Sequence, residues 1–104
     1  MKIAFPTEGD SMNSNLCEHF GRAPKFLILN TENDSHRLID NTHNTKMPSG
    51  AGIKTAEMIA NDGVTHVVAK NCGPKAKEVL ELSSIKVVLT DAETLEQAKD
   101  AVTG

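Results

Sequence analysis

A chain of 104 residues lies within the size range of one domain, large enough to bury roughly two-thirds of the surface its unfolded form exposes and too small for two domains. Its 38% hydrophobic and 24% charged residues suit a folded globule and exclude a disordered tail or a coiled coil; with Phe 3, Trp 0 and Tyr 0, the core has to be mainly aliphatic. The net charge of -3, with 11 Lys and Arg scattered without a run, excludes the electrostatic footprint of a nucleic-acid binder.

The opening Met1 to Pro6 is too short an apolar stretch for a signal peptide, and no run of about 18 apolar residues offers a membrane span. A cytoplasmic protein is therefore expected, with Cys17 and Cys72 as thiols rather than a structural disulfide. One domain is expected over residues 1–104.

In chain order, Ile3 to Phe5 starts a short strand that Pro6 is expected to end. Thr7 to Pro24 is rich in Gly, Asp, Ser and Asn and lacks apolar periodicity, so it reads as a loop, and a loop of that length in a compact domain calls for a function. Lys25 to Asn30 is a continuous apolar run of central-strand type, and Glu32 to Ser35 turns it into a second strand, His36 to Asp40. Asn41 to Gly50 reads as a second polar loop. Ile53, Ala56, Ile59 and Ala60 then recur at helical spacing over Ala51 to Asp62, with Gly63 as the stop. Val64 to Ala69 reads as a buried strand. In Asn71-Cys72-Gly73-Pro74, Gly73 suits a cap and Pro74 the first position of a helix that runs to about Leu82. Ile85 to Leu89 is the last strand, and Thr90 to Glu93 matches a capping box for a helix that presents Leu95, Ala98 and Val102 on one face.

The order strand, strand, strand, helix, strand, helix, strand, helix predicts an α/β fold: a five-stranded mixed sheet with one antiparallel strand, covered by helices. If only the second strand is reversed, the other strands share one C-terminal edge. The segments leaving that edge are Thr7 to Pro24, Asn41 to Gly50 and Lys70 to Gly73, and open α/β sheets bind ligands outside that edge. Cys17, His19, His43 and Cys72 are expected there.

Cys17-Glu-His-Phe-Gly-Arg-Ala-Pro24 resembles the Ser-x-His-Phe-Gly-Arg-Ala-Pro signature of the dinitrogenase iron-molybdenum cofactor biosynthesis family, which includes NifX-like proteins and the C-terminal region of NifB-like proteins. The resemblance extends to the opening Lys-Ile-Ala-Phe-Pro, to the helix start Gly50-Ala-Gly-Ile53, and to Asn71-Cys-Gly-Pro74. It implies a ribonuclease H-like three-layer fold and a role in binding or carrying an iron-sulfur or iron-molybdenum cluster or its precursor, without catalysis. Here Cys17 stands where Ser is frequent, and Cys72 where an apolar residue is frequent.

Iron-sulfur clusters are typically held by about four thiolates, so two thiols with imidazoles suit a transient or shared cluster better than a permanent one. His19, Cys17, Cys72 and His43 are the candidate metal ligands, and Gly21, Arg22, Asn71 and Gly73 the candidate cluster contacts. Cys72, before a helix N-terminus and near Lys70 and Lys75, is expected to favour the thiolate. Arg22 could pair with an anionic cluster or hold the loop to a carboxylate or carbonyl. Phe20 is expected to anchor the loop on the core, and Gly21 to permit an unusual backbone angle. His36 and His66 read as structural, and Gly50 to Gly52 lacks the Gly-Lys-Ser/Thr of a phosphate loop.

The expected function is a non-enzymatic cluster carrier working with donor and acceptor proteins, away from nucleic acid and membranes, as a monomer or weak homodimer. A thiol redox module using Cys17 and Cys72 ranks second. A metal-dependent nuclease ranks third, because two-metal chemistry needs carboxylates facing one cleft and Ile3 to Phe5 supplies none.

Overall fold

In the computed structural model, which describes residues 1–103, the strands β1 (Lys2–Thr7), β2 (Lys25–Asn30), β3 (Ser35–Asp40), β4 (His66–Ala69) and β5 (Lys86–Leu89) form a sheet in the order β3-β2-β1-β4-β5. β2 is antiparallel to both neighbours, whereas β1 pairs in parallel with β4, and β4 with β5. β2 is thus the one reversed strand, and β1, β3, β4 and β5 end on a common edge. The helices are α1 (Thr42–Thr45), α2 (Ala51–Asn61), α3 (Pro74–Leu82) and α4 (Leu95–Thr103), and a 3₁₀ turn covers Phe20–Arg22.

Side chains alternate across the sheet and divide the core between its two faces. On one face Ala4, Phe26, Ile28 and Val67 pack with Ala56 and Ile59 of α2 and Ala76 and Leu80 of α3. On the other, Ile3, Phe5, Leu27, Leu29 and Val68 pack with Leu95 and Ala98 of α4. The result is three layers. All three Phe are buried, and the rings of Phe20 and Phe26 meet edge to face at 5.1 Å.

Several boundaries differ from those expected, each for a local reason. Pro6 does not end β1, which runs on to Thr7. In an extended strand one residue's N and carbonyl point to the same side. Lys2 exchanges hydrogen bonds with Thr65 on the β4 side, so Pro6, four residues on, also faces away from β2, and its carbonyl accepts from Cys17 N at 2.8 Å. The missing N–H therefore costs no bond to β2. The capping box of α4 is Thr94 to Gln97 rather than Thr90 to Glu93: Thr94 Oγ1 accepts from Gln97 N at 3.2 Å, and Gln97 Oε1 accepts from the N–H groups of Glu93 and Thr94. Thr90 instead extends the sheet, its N–H bonding Ala69 O at 3.0 Å. β4 and β5 start later than expected, although Val64 and Ile85 are buried. Gly63, at φ 75°, ends α2, and Gly73 and Pro74 open α3 as the sequence suggests.

The segment after β3 is not all loop. Asn41, only 1% exposed, is the hub of a buried polar network, and α1 follows it directly. Its Nδ2 donates to Ala23 O at 2.9 Å, its N–H to Pro24 O at 2.8 Å, and its Oδ1 accepts from Asn44 Nδ2 at 2.9 Å and from buried Thr55 Oγ1 at 3.2 Å. A polar residue at a helix-facing core position is tolerated because every group is paired. Asn41→Ala leaves the Ala23 carbonyl and the Thr55 hydroxyl without these partners, and urea denaturation should register a loss of about 2 to 3 kcal/mol.

Candidate functional site

The segment from Thr7 to Pro24 is fastened at several points. Thr7 Oγ1 donates to Asn15 O at 2.8 Å and accepts from Gly9 N at 3.0 Å. Leu16 N bonds Glu93 O at 2.8 Å, while Leu95 N and Glu96 N return to Ser14 O and Met12 O at 3.0 and 2.9 Å. Leu16 is buried on the α4 side of the sheet and Phe20 on the α2/α3 side, so the segment passes over the sheet's edge and is anchored on both faces.

The second wall comes from the strand end at Asn71. Its carbonyl accepts from Phe20 N at 3.1 Å, and its Nδ2 donates to Glu18 O at 3.3 Å and Glu18 Oε1 at 3.2 Å. Asn71 therefore clamps the two walls together, with Glu18 as a partner that the motif alone did not single out. Gly21 completes the arrangement, but not through an unusual backbone angle: the positive-φ glycines are Gly50 and Gly63. A Cβ on Gly21 would lie 2.8 Å from Gly52 Cα and 3.1 Å from Gly52 N, so its role is close approach of the loop to the start of α2.

Arg22 takes the structural course. Its Nη1 donates to the carbonyls of Thr45 at 3.0 Å and Met47 at 3.3 Å, fixing the end of α1 against the loop. His43 lies exposed on α1, and His19 lies exposed just before the 3₁₀ turn. Both thiols are half-buried and pack against the same apolar cluster beneath α2 and α3. Burial pushes the Cys17 thiol above its ordinary pKa, helped by Glu8 and opposed by Lys70. Burial likewise pushes Cys72 up, with Lys77 opposing and Glu81 adding. The expectation that Cys72 favours the thiolate is thus reversed, because desolvation outweighs the attraction of Lys77. Among the described residues, no group of three or more His, Cys, Asp or Glu converges as a preformed ion site.

Two hollows flank these walls. One, of about 530 Å³, is lined by Glu8, Gly9, Ser14, Asn15, Leu16, Cys17 and Glu18, and its carboxylates make it unwelcoming to an anion. The other, of about 320 Å³, lies where the first turns of α2 and α3 meet, lined by Gly21, Gly50, Gly52 and Ile53 on one side and Gly73, Pro74, Lys75 and Ala76 on the other. Free N–H groups of the two first turns and the Lys75 ammonium suit that cleft to negative charge. Gly50, Gly52 and Lys75 line this cleft beside Gly21 and Gly73, and the run Gly50-Ala-Gly52 is the sequence signal for the first two.

A family model described as dinitrogenase iron-molybdenum cofactor matches residues 1–103. A curated relative, uncharacterized protein MJ0580 of Methanocaldococcus jannaschii, is 36% identical over 100 residues, covering 93% of this chain and 80% of the relative. Among solved structures, the apo form of the orange protein from Desulfovibrio gigas aligns with a TM-score of 0.89 at 29% identity, over 95% of this chain and 83% of that one. A candidate NifB protein from Thermotoga aligns with a TM-score of 0.83 at 29% identity, over 98% and 86%.

Gly21→Ala drives a methyl group onto the Gly52 backbone and should cost about 1 to 3 kcal/mol in chemical denaturation. The raised thiol pKa values fix a second outcome. At pH 8 iodoacetamide should label both cysteines several-fold more slowly in the native protein than in urea. A thiol raised on folding favours the folded state below its unfolded pKa, and that contribution fades as pH climbs through the folded value, so alkaline titration should lower the melting temperature.

Proposed function

We propose that this chain, which belongs to the dinitrogenase iron-molybdenum cofactor family, is a non-enzymatic carrier that binds an iron-sulfur or iron-molybdenum type cluster, or its precursor, at the C-terminal edge of the sheet and passes it between donor and acceptor proteins. The observation that carries this is the cleft between the first turns of α2 and α3, lined by Gly21 of the Leu16 to Pro24 segment and by Gly73, the residue after Cys72. Thiolate-ligated clusters are anionic, and backbone N–H groups with Lys75 favour such a body. In this assignment Gly21 and Gly73 line the seat, Asn71 and Arg22 hold its walls, and Cys17, Cys72, His19 and His43, which lie outside the lining of the seat, would supply exchangeable ligands to a cargo that overhangs it.

Loose binding follows from the same chemistry. A metal must displace protons from thiols whose burial favours the protonated form, so affinity is moderated and release is eased. The description of the orange protein structure as an apo form fits a fold that exists with and without a cargo. A carrier of this kind needs a reducing, cytoplasmic setting, and the ribonuclease H-like description goes with three layers and a lone reversed strand. The alternative, a reversible Cys17–Cys72 disulfide, is favoured by both thiols lying on one cluster but disfavoured by their raised pKa, since the thiolate is the nucleophile.

Anaerobic reconstitution with ferrous iron and sulfide, followed by desalting, should leave bound iron and visible charge-transfer absorption. Replacing Cys17 and Cys72 together by Ser should reduce retained iron at least about tenfold. Gly73→Val offers a control on the seat: a Cβ there meets nothing within 4 Å, so folding should hold while retention drops. Loss of all iron from the unaltered protein on desalting overturns the carrier assignment.

A further inference from the structure

Among the described residues no strand pairs with the outer edge of β3, and its sequence is complementary to itself. The pairing Asn41 N to Pro24 O and Thr31 N to Met1 O fixes which groups face inward along β1, β2 and β3. By the alternation of an antiparallel ladder, Ser35, Arg37 and Ile39 turn their N–H and C=O toward β2, and His36, Leu38 and Asp40 turn theirs outward. Leu38 is 42% exposed, and the strand is exposed along nearly its whole length. An edge of this kind is a template for another strand.

We propose that β3 is the interface of a two-fold symmetric homodimer, pairing antiparallel with β3 of a second copy about Leu38 and joining the two sheets into one. The choice of partner follows from register. With Leu38 opposite its symmetry mate, His36 of each copy stands opposite Asp40 of the other, and all outward N–H and C=O groups of His36, Leu38 and Asp40 find partners. Centring on His36 sets two imidazoles opposite each other and centring on Asp40 two carboxylates, and either register strands the outward groups of the far end. A shift by one residue sets outward groups against residues already bonded to β2.

Charge supports the same register. His36, Leu38 and Asp40 share the face that carries Leu27 and Leu29, so the leucines meet across the axis with an opposite-charge or hydrogen-bonded pair on either side. Arg37 lies on the other face and is committed to Asp62 at the end of α2. Asp40 Oδ1 accepts from Thr42 N at 2.9 Å and Thr42 Oγ1 at 2.7 Å, which holds the carboxylate beside the strand end. Among the described residues its Oδ2 receives no hydrogen bond. A hollow of about 390 Å³ lined by Pro24, Lys25, Leu38, Ile39, Asp40 and Thr42 borders this half of the edge and leaves room for the incoming strand's side chains.

This inference is independent of the cargo. Antiparallel pairing turns the second copy's crevice to the opposite edge of the joined sheet, so both crevices stay open and the four thiols of a dimer do not meet. The opposite edge of each sheet, β5, spans only Lys86–Leu89; pairing β3 with β5 of a neighbour would generate open-ended strings rather than a closed dimer.

Sedimentation equilibrium from roughly 10 µM to 1 mM should follow a monomer–dimer isotherm, the weak range suited to a small interface. Leu38→Pro removes an outward N–H that the monomer does not use, so the variant should keep its circular dichroism and sediment as a monomer. His36→Asp sets carboxylates against each other and should weaken the dimer at least about fivefold. His36→Asp combined with Asp40→His should restore it. Amide exchange at His36, Leu38 and Asp40 should slow with protein concentration while Arg37 and Ile39 stay constant. A monomer at 1 mM, a dimer that survives Leu38→Pro, or assembly beyond two copies overturns the proposal.

Discussion

The contact on which the crevice depends is between two residues without side chains. Gly21 lies so close to Gly52 that a single methyl group would have no room, and this brings the Leu16 to Pro24 segment onto the first turn of α2. From that seating the neighbouring interactions follow. Phe20 reaches the core beside Phe26, its N–H meets the Asn71 carbonyl, and Arg22 comes within reach of the carbonyls of Thr45 and Met47. The three segments that leave the common sheet edge are thereby bound to one another, by backbone packing first and by polar side chains second.

The crevice so formed is electrically divided. Glu8 and Glu18 line one hollow together with Cys17, whereas the first turns of α2 and α3 and Lys75 line the other. Both thiols are half-buried against the apolar core, and burial raises the pKa of each. Among the described residues no group of three or more His, Cys, Asp or Glu converges there. Tight, permanent ligation would call for ionised thiols and a converging ligand set, and this chain is built otherwise.

Much of this was legible before any coordinates, because it rests on local chemistry. The apolar run of β2, the stop at Gly63, the Gly73-Pro74 start of α3 and the common edge of the parallel strands all follow from periodicity, backbone freedom and connectivity. What escaped was set by tertiary context. Pro6 continues β1 because its nitrogen faces away from β2, which no residue near it in sequence reveals. Asn41 reads as a loop residue until Ala23, Asn44 and Thr55 gather around it. Two threonines compete to open α4, and the one with Gln three residues on prevails. Cys72 combines a helix end with burial, and only the packed structure shows that burial wins.

The double anchorage of the Thr7 to Pro24 segment has a consequence for how this protein can vary. Most surface loops accept inserted or deleted residues because their ends alone are fixed. Here Leu16 and Phe20 are pinned in different layers with only three residues between them, so the span behaves as a measured tether across the rim of the sheet. Within the tether Cys17 packs on the core and Glu18 is held by Asn71, and the number of residues between the anchors is fixed by the distance they span. An inserted or deleted residue there would unseat one anchor or the other.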